Sequence, residues 1–448
     1  MNHQDPRWRY QPLTGILFLT GGLGIIVYSL FLSATLYSYF VIGRDEANFL
    51  LRSSMDIFSA NSLPEKIDLL FQTHGQHILL GMQLANLLSV ATTGFIDFQF
   101  INIIGILYLV LPALLICWCF ARQASKTYSF VFSAGIACAV IFAIILSPGH
   151  LSCAINTACT GNHYLGLGAA IAALYFFIPV TPGQVSIKRI LAAEFFAAMG
   201  VFSSPAALAL IPLFFVVSFF TGQQKRTGLY IHMAFSLVYL TAYFLIADNE
   251  DFANNAPHIT LEQFLTLLVL YPVFFLNLLG SVFFWPQSTP GVIASCGLGM
   301  LVFVSGLVLL KRHFGMLQQR MDLLFYAAGF ILLLGMITLI TIGRAQSIGS
   351  PRYIIYACFV LVFVCLFFLA TRPASTWIPV LLASCCLAYY PIQLGLNRDY
   401  TDRIRRDIAA CNQRWLAEGK ACGVMIKHDE ATALLLEAER RGILRLPR

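Results

Sequence analysis

The sequence predicts an all-α polytopic membrane protein with about eleven transmembrane helices and external interfacial helices, on three observations. First, 58% of its residues are hydrophobic and only 11% charged, with a mean hydropathy of +0.77. A soluble domain averages about 25% charged, because its surface needs polar groups that lipid-facing helices do not. Second, the apolar residues fall in runs near the roughly 20 residues that a bilayer crossing requires. Third, Lys and Arg fall in short clusters between those runs. The net charge of +7 therefore reads as a topology signal, and nucleic acid is not an expected partner.

Loops rich in Lys and Arg stay in the cytoplasm, so the chain can be threaded by charge. Arg7 and Arg9 set the N-terminus inside, and the following run, too long for a signal peptide and without a small-residue cleavage site, is expected to be a retained first span. Residues 14–42 cross outward and deliver Arg44, Asp45 and Glu46 of GRDEANFLLRSSMD to the external face. The first external loop, 43–97, contains HILLGMQLANLLSVATTGF, interrupted by Gln83 and Asn86. Because 98–121 must run inward to Arg122 and Lys126, that piece is expected to stay on the outer surface.

The alternation continues. Residues 128–147 run out to SPGHLSCAINTACTGNHY, and 163–179 return to Lys188 and Arg189. A tight pair, 189–203 and 205–221, turns at FSSPAA and ends inside at Lys225 and Arg226, and 227–247 exit to DNEDFANNAPHITLE. Residues 263–284, with Pro272, break the parity, since 291–310 must run inward to Lys311 and Arg312. They read as a re-entrant or interfacial helix. Residues 322–342 then go out to IGRAQSIGSPRY, 353–370 come in to Arg372, and 376–394 go out again. From Asn397 the chain becomes charged and periodic. The expected division is a membrane domain over 1–396 and a small helical external tail over 397–448, with the C-terminus outside.

Eight of the twelve cysteines lie in or near apolar runs, where a thiol behaves as a small hydrophobe. Cys153 and Cys159 share the second external loop, and Cys411 and Cys422 share the tail. Both placements suit disulfides in an oxidising compartment, and four free thiols are the equal alternative.

Four polar clusters fall on the external side: Arg44, Asp45 and Glu46; His74 and His77 in LLFQTHGQHILL; His150, Asn156, Asn162 and His163; and Arg344, Arg352 and Tyr353 in IGRAQSIGSPRYIIY. A carboxylate at a helix end can serve as a general base. Two arginines flanking a short loop suit a phosphate, because the guanidinium fork binds oxyanions bidentately. The HGQH spacing matches no recognised zinc motif, and no Gly-rich nucleotide loop occurs, so neither metal nor cofactor is expected. Each cluster also has a plainer reading, as solvated charge or as interfacial Arg and Tyr anchors.

An acidic pair in RDEANF after the first span, followed by a long first loop, resembles the GT-C superfamily of polytopic glycosyltransferases. LFQTHGQHILLGMQLANLL, FSSPAALALIPL and IGRAQSIGSPRYIIY are similar to segments of bacterial O-antigen glucosyltransferase-like membrane proteins. The resemblance covers most of the membrane part and not the tail. It implies a bacterial inner-membrane enzyme that transfers a sugar from a polyprenyl-phosphate donor to a glycan or lipid-linked acceptor on the periplasmic face. On that analogy Asp45, with Glu46 beside it, is the catalytic acidic residue. Arg344 and Arg352, with Tyr353, hold the donor phosphate, and His74 and His77 occupy a His-rich substrate-binding motif. CAINTACTGNH departs from the pattern, having none of the aromatic and acidic residues usual in that loop.

Two other classes compete. An O-antigen polymerase or ligase shares the external Arg and His residues. A transporter or lipid flippase calls for ionisable residues in mid-span, and the apolar runs contain almost none.

Overall fold

The computed structural model describes residues 6–35, 41–43, 51–71, 73–74, 77–78, 80–148, 159–179, 186–221, 227–247, 261–283, 289–343, 353–372, 375–424 and 427–446. Among them the chain is helical apart from two short strand pairs. Seven helices are long and apolar enough to cross a membrane, which makes it an all-α, multi-pass membrane protein.

The first helix, α1 (Pro6–Thr35), leads to strand β1 (Val41–Gly43). The segment after it folds as α2 (Ser53–Ser59), α3 (Leu63–Leu70), the hairpin β2 (Thr73–His74) and β3 (His77–Ile78), and α4 (Leu80–Thr93). Ser62 opens α3 by accepting from the Glu65 amide, while the Glu65 carboxylate accepts from the Asn61 amide, a reciprocal cap that fixes where the helix starts. Then come α5 (Phe98–Ala124) and α6 (Phe130–Ile145), capped by Asp97 and Ser129. A π-helical turn at Thr160–Tyr164 precedes α7 (Leu165–Phe177). The helix α8 (Ile187–Ser203) ends at a 3₁₀ turn over Pro205–Ala209 that starts α9 (Leu210–Thr221). The remaining bundle helices are α10 (Thr227–Ala247), α11 (Leu261–Gly280), α12 (Thr289–His313), α13 (Met321–Gly343), α14 (Ile354–Thr371) and α15 (Trp377–Leu396).

Close backbone contacts at glycines set the helix directions. Gly15 of α1 meets Phe132 of α6 and Gly22 meets Cys138, so these two run parallel, whereas α12 and α13, joined by the short 314–320 turn, are antiparallel neighbours with Gly306 against the Phe330 ring. The bundle thus has two ends. Arg122, Lys126, Lys188, Arg189, Lys311, Arg312 and Arg372 stand at one, called here the basic end. The helices α2 to α4 of the first loop pack at the other, the loop end. At the basic end Arg189 is folded into the structure: its Nη2 donates to the Tyr175 and Ile178 carbonyls at 2.6 and 3.0 Å, closing the C-terminus of α7.

The helix α11 packs along α12, with Leu265, Leu270 and Val273 exposed on its other side. The pair is antiparallel, with the backbone at Gly280 touching Ser295 and that at Gly299 touching Leu276. Ser295 and Gly299 form a small-xxx-small step that lets two backbones approach without side chains between them. Tyr271 donates to Thr338 of α13 at 3.0 Å, tying α11 to a third helix. The segment 263–284, expected as a re-entrant or interfacial helix, forms a helix over Leu261–Gly280 packed against α12 and α13.

The tail is not a separate appendage. It consists of α16 (Arg398–Glu418), β4 (Cys422–Val424) and α17 (His428–Arg440), with Cys411 and Cys422 joined in a disulfide. Strand β4 pairs in parallel with β1, placing Val41, Ile42 and Gly43 opposite Cys422, Gly423 and Val424. Ala431, Leu435, Ala438 and Leu444 share a core with Leu51, Met55, Met82, Phe98 and Ile101. The Arg52–Glu430 ion pair across this junction is 46% and 39% exposed. Pairs of that exposure contribute about 0–1 kcal/mol, so the shared core and the strand pair hold the tail in place.

Candidate functional site at the loop end

Polar residues from three distant parts of the chain meet at the loop end. The π turn carries Asn162 and His163, both nearly buried. His163 Nδ1 lies 3.0 Å from the Tyr356 hydroxyl, which also lies 3.4 Å from Ser204 Oγ. The His163 ring meets Tyr353 edge-to-face at 5.2 Å. Each member is delivered by a helix end: His163 before α7, Ser204 after α8, Tyr353 and Tyr356 at the start of α14.

The helix α4 closes over this group. A Cβ on Gly81 would collide with the Gly161 backbone and one on Gly161 with Met82, so both positions need glycine for the π turn to sit against α4. The buried Gln83 and Asn86 of α4 donate to Ser53 and Ser54 of α2 at 2.6 and 3.1 Å. The two residues that interrupt the apolar run of α4 thus bind the first loop together inside its own core. Nearby, Phe71, just before the β2–β3 hairpin, packs edge-on against Phe202 at the end of α8, at 5.5 Å.

Of the residues expected at the site, Tyr353 is buried against His163. His74 and His77 face each other in backbone register across the β2–β3 hairpin, and their side chains lie outside what is described. Asp45, Glu46, Arg344 and Arg352 also lie outside the described residues, as do Arg44, His150 and Asn156. Strand β1 ends at Gly43, so the chain entering 44–46 starts from the β1–β4 pair, and Arg352 immediately precedes Tyr353. Among the described residues no group of three metal-ligating side chains gathers. Cys159, just before the π turn, is disulfide-bonded.

One polar group was missed by the expectation that the spans are nearly free of ionisable residues. Glu194 of α8 and His232 of α10 are 0% and 1% exposed, with His232 Nδ1 2.8 Å from Glu194 Oε1. His232 Nε2 lies 3.2 Å from the Ile211 carbonyl and 3.3 Å from Ser236 Oγ. Tyr239 donates to Glu194 Oε2 at 2.9 Å. Every polar atom of the pair is thus engaged, which is the condition for tolerating it in an apolar interior. A lone Glu in ILAAEFFAAM and a lone His in GLYIHMAF were the available signals.

The loop-end group brings together a hydroxyl, an imidazole and a tyrosine ring beneath α4. No known family, curated protein or solved structure matches this chain.

Proposed function

We propose that the chain transfers a sugar from a polyprenyl-phosphate donor to a glycan or lipid-linked acceptor, at the loop end of a GT-C-like bundle of about eleven spans. The observation that carries this reading is the meeting of His163 with Tyr353. It draws the residue next to Arg352 to the same end as strand β1, which runs into Arg44, Asp45 and Glu46. In the proposed reaction Asp45 accepts the proton of the acceptor hydroxyl as its oxygen attacks the anomeric carbon. The bond from that carbon to the donor phosphate breaks, and Arg344 and Arg352 stabilise the departing phosphate charge. The polyprenyl chain lies along the apolar helices. The gathering of Lys and Arg at the opposite end supports an inner-membrane topology in which the loop end and the C-terminus are periplasmic and the N-terminus is cytoplasmic.

The test is sugar transfer in membranes supplied with purified polyprenyl-phosphate sugar, normalised to folded protein. Asp45→Asn keeps shape but not proton acceptance, and transfer is expected to fall about 10²- to 10⁴-fold. Near-normal turnover rejects the assignment. A larger loss in Glu46→Gln moves the base by one residue.

The buried Glu194–His232 pair favours a second reading, a transporter or flippase. Movement of a labelled lipid across reconstituted vesicles, with no sugar transfer, would select it.

A further inference from the structure

The basic end contains a cavity of about 290 Å³ between the end of α5, the 125–129 turn, the start of α13 and the end of α14. That is near the lower size of small-ligand sites. Phe132, Leu369 and Pro379 form apolar walls, and Gln123, Lys126, Arg320 and Asp322 bring polar groups to it. The turn beside it is held from two sides. Tyr128 donates to the Ser375 carbonyl at 3.1 Å, and the Ser129 amide donates to Gln11 Oε1 at 3.1 Å.

The charges of this lining can be counted. Arg320 is bound to Asp322 through Nε and Nη2, at 2.6–3.2 Å, and the two charges cancel. Lys126 is exposed and pairs with no carboxylate among the described residues, leaving one positive charge. Gln123 Oε1 is buried with no hydrogen-bond donor opposite it. An apolar wall, one net positive charge and an acceptor lacking a donor describe a ligand with a hydrocarbon part, one negative charge and a hydroxyl. A phosphodiester carries a single charge, whereas a phosphomonoester carries about −1.5 to −2 at neutral pH.

We propose that this cavity is a binding site for an anionic phospholipid with a hydroxylated head group, its phosphodiester against Lys126 and its hydroxyl donating to Gln123. The position fits, since basic pockets between membrane helices are where anionic head groups bind. The site lies at the opposite end of the bundle from the loop-end cluster and stands independently of the transfer reaction.

Native mass spectrometry of the full chain in detergent tests it, with phosphatidylglycerol, phosphatidylcholine and phosphatidylmethanol as probes. The wild type is expected to retain phosphatidylglycerol about tenfold better than phosphatidylcholine. Lys126→Ala should lose that preference and Lys126→Arg keep it. Phosphatidylmethanol has the charge without the hydroxyl, and it should bind the wild type several-fold more weakly than phosphatidylglycerol. Gln123→Leu should abolish that difference. Lys126 is exposed, so its variants test binding and not folding. Equal retention of phosphatidylcholine, undiminished binding by Lys126→Ala, or displacement of the lipid by millimolar glycerol phosphate would each overturn the proposal, the last by identifying a free anion as the occupant.

Discussion

Ile42 stands in register with Gly423 across a parallel strand pair, so the chain entering Arg44, Asp45 and Glu46 is gripped by the C-terminal tail. The Cys411–Cys422 disulfide closes a short loop at the edge of that pair. Loops of about this length contribute near 3 kcal/mol through chain entropy. Cys411→Ser is therefore expected to leave the bundle inserted while the tail becomes sensitive to trypsin, which has many sites between Arg398 and Arg441. An unchanged digestion pattern would show that the shared core suffices without the crosslink.

Gly299 and Gly297 make a matched comparison within α12. A Cβ at Gly299 would strike the Leu276 carbonyl, whereas one at Gly297 meets nothing within 4 Å. Gly299→Ala should lower the thermal melting temperature in detergent by forcing α11 and α12 apart. Gly297→Ala should be neutral or stabilising by up to about 1 kcal/mol, since alanine loses less backbone entropy in a helix. Equal effects at the two positions would contradict the packing described for α11.

The Glu194–His232 pair predicts an asymmetry between single and double replacement. His232→Ala leaves a carboxyl inside the bundle without its partner, a change that costs about 3–5 kcal/mol in buried pairs. Glu194→Leu combined with His232→Phe removes both charges and should recover most of that loss. Thermal melting of the purified variants decides. A double variant no better than His232→Ala would mean that the pair is needed for more than charge balance, and would strengthen the transporter reading.

If Arg344 and Arg352 grip the donor phosphate, lysine should not replace them. A lysine retains the charge but offers a point donor in place of a planar fork. Arg344→Lys and Arg352→Lys are each expected to weaken sugar transfer, read as a raised KM for the polyprenyl-phosphate donor. Wild-type transfer by the double variant would return both arginines to the role of interfacial anchors.

Much of the bundle was legible because its signals are local. Apolar runs locate α1, α5 and α12 to α15, and basic residues mark one end of the bundle. What escaped depends on contacts between residues far apart in the chain. Glu194 and His232 are each diluted in a hydropathy window by their apolar neighbours, and only the crossing of α8 and α10 makes them a pair. The three-residue strands β1 and β4 carry no pattern long enough to be recognised, and their partners come from opposite ends of the sequence. The place of α11 was hidden because charge counting says nothing about a helix flanked by no Lys or Arg. At the candidate site, Tyr353 could be singled out from SPRYIIY, but its contact with His163 depends on α14 lying beside the π turn.

Pairing β1 with β4 also sets an order of events during synthesis. The first loop leaves the ribosome early, yet the strand that completes its edge and the residues that fill its core are translated last. Until then the edge of β1 is open and Leu51, Met55 and Phe98 lack part of their cover. Closing so long a loop is slow compared with local helix formation. Every bundle helix is made before the loop end can mature, so a ribosome that stops before residue 422 releases a chain with its helices complete and an exposed strand edge of the kind that chaperones and proteases recognise.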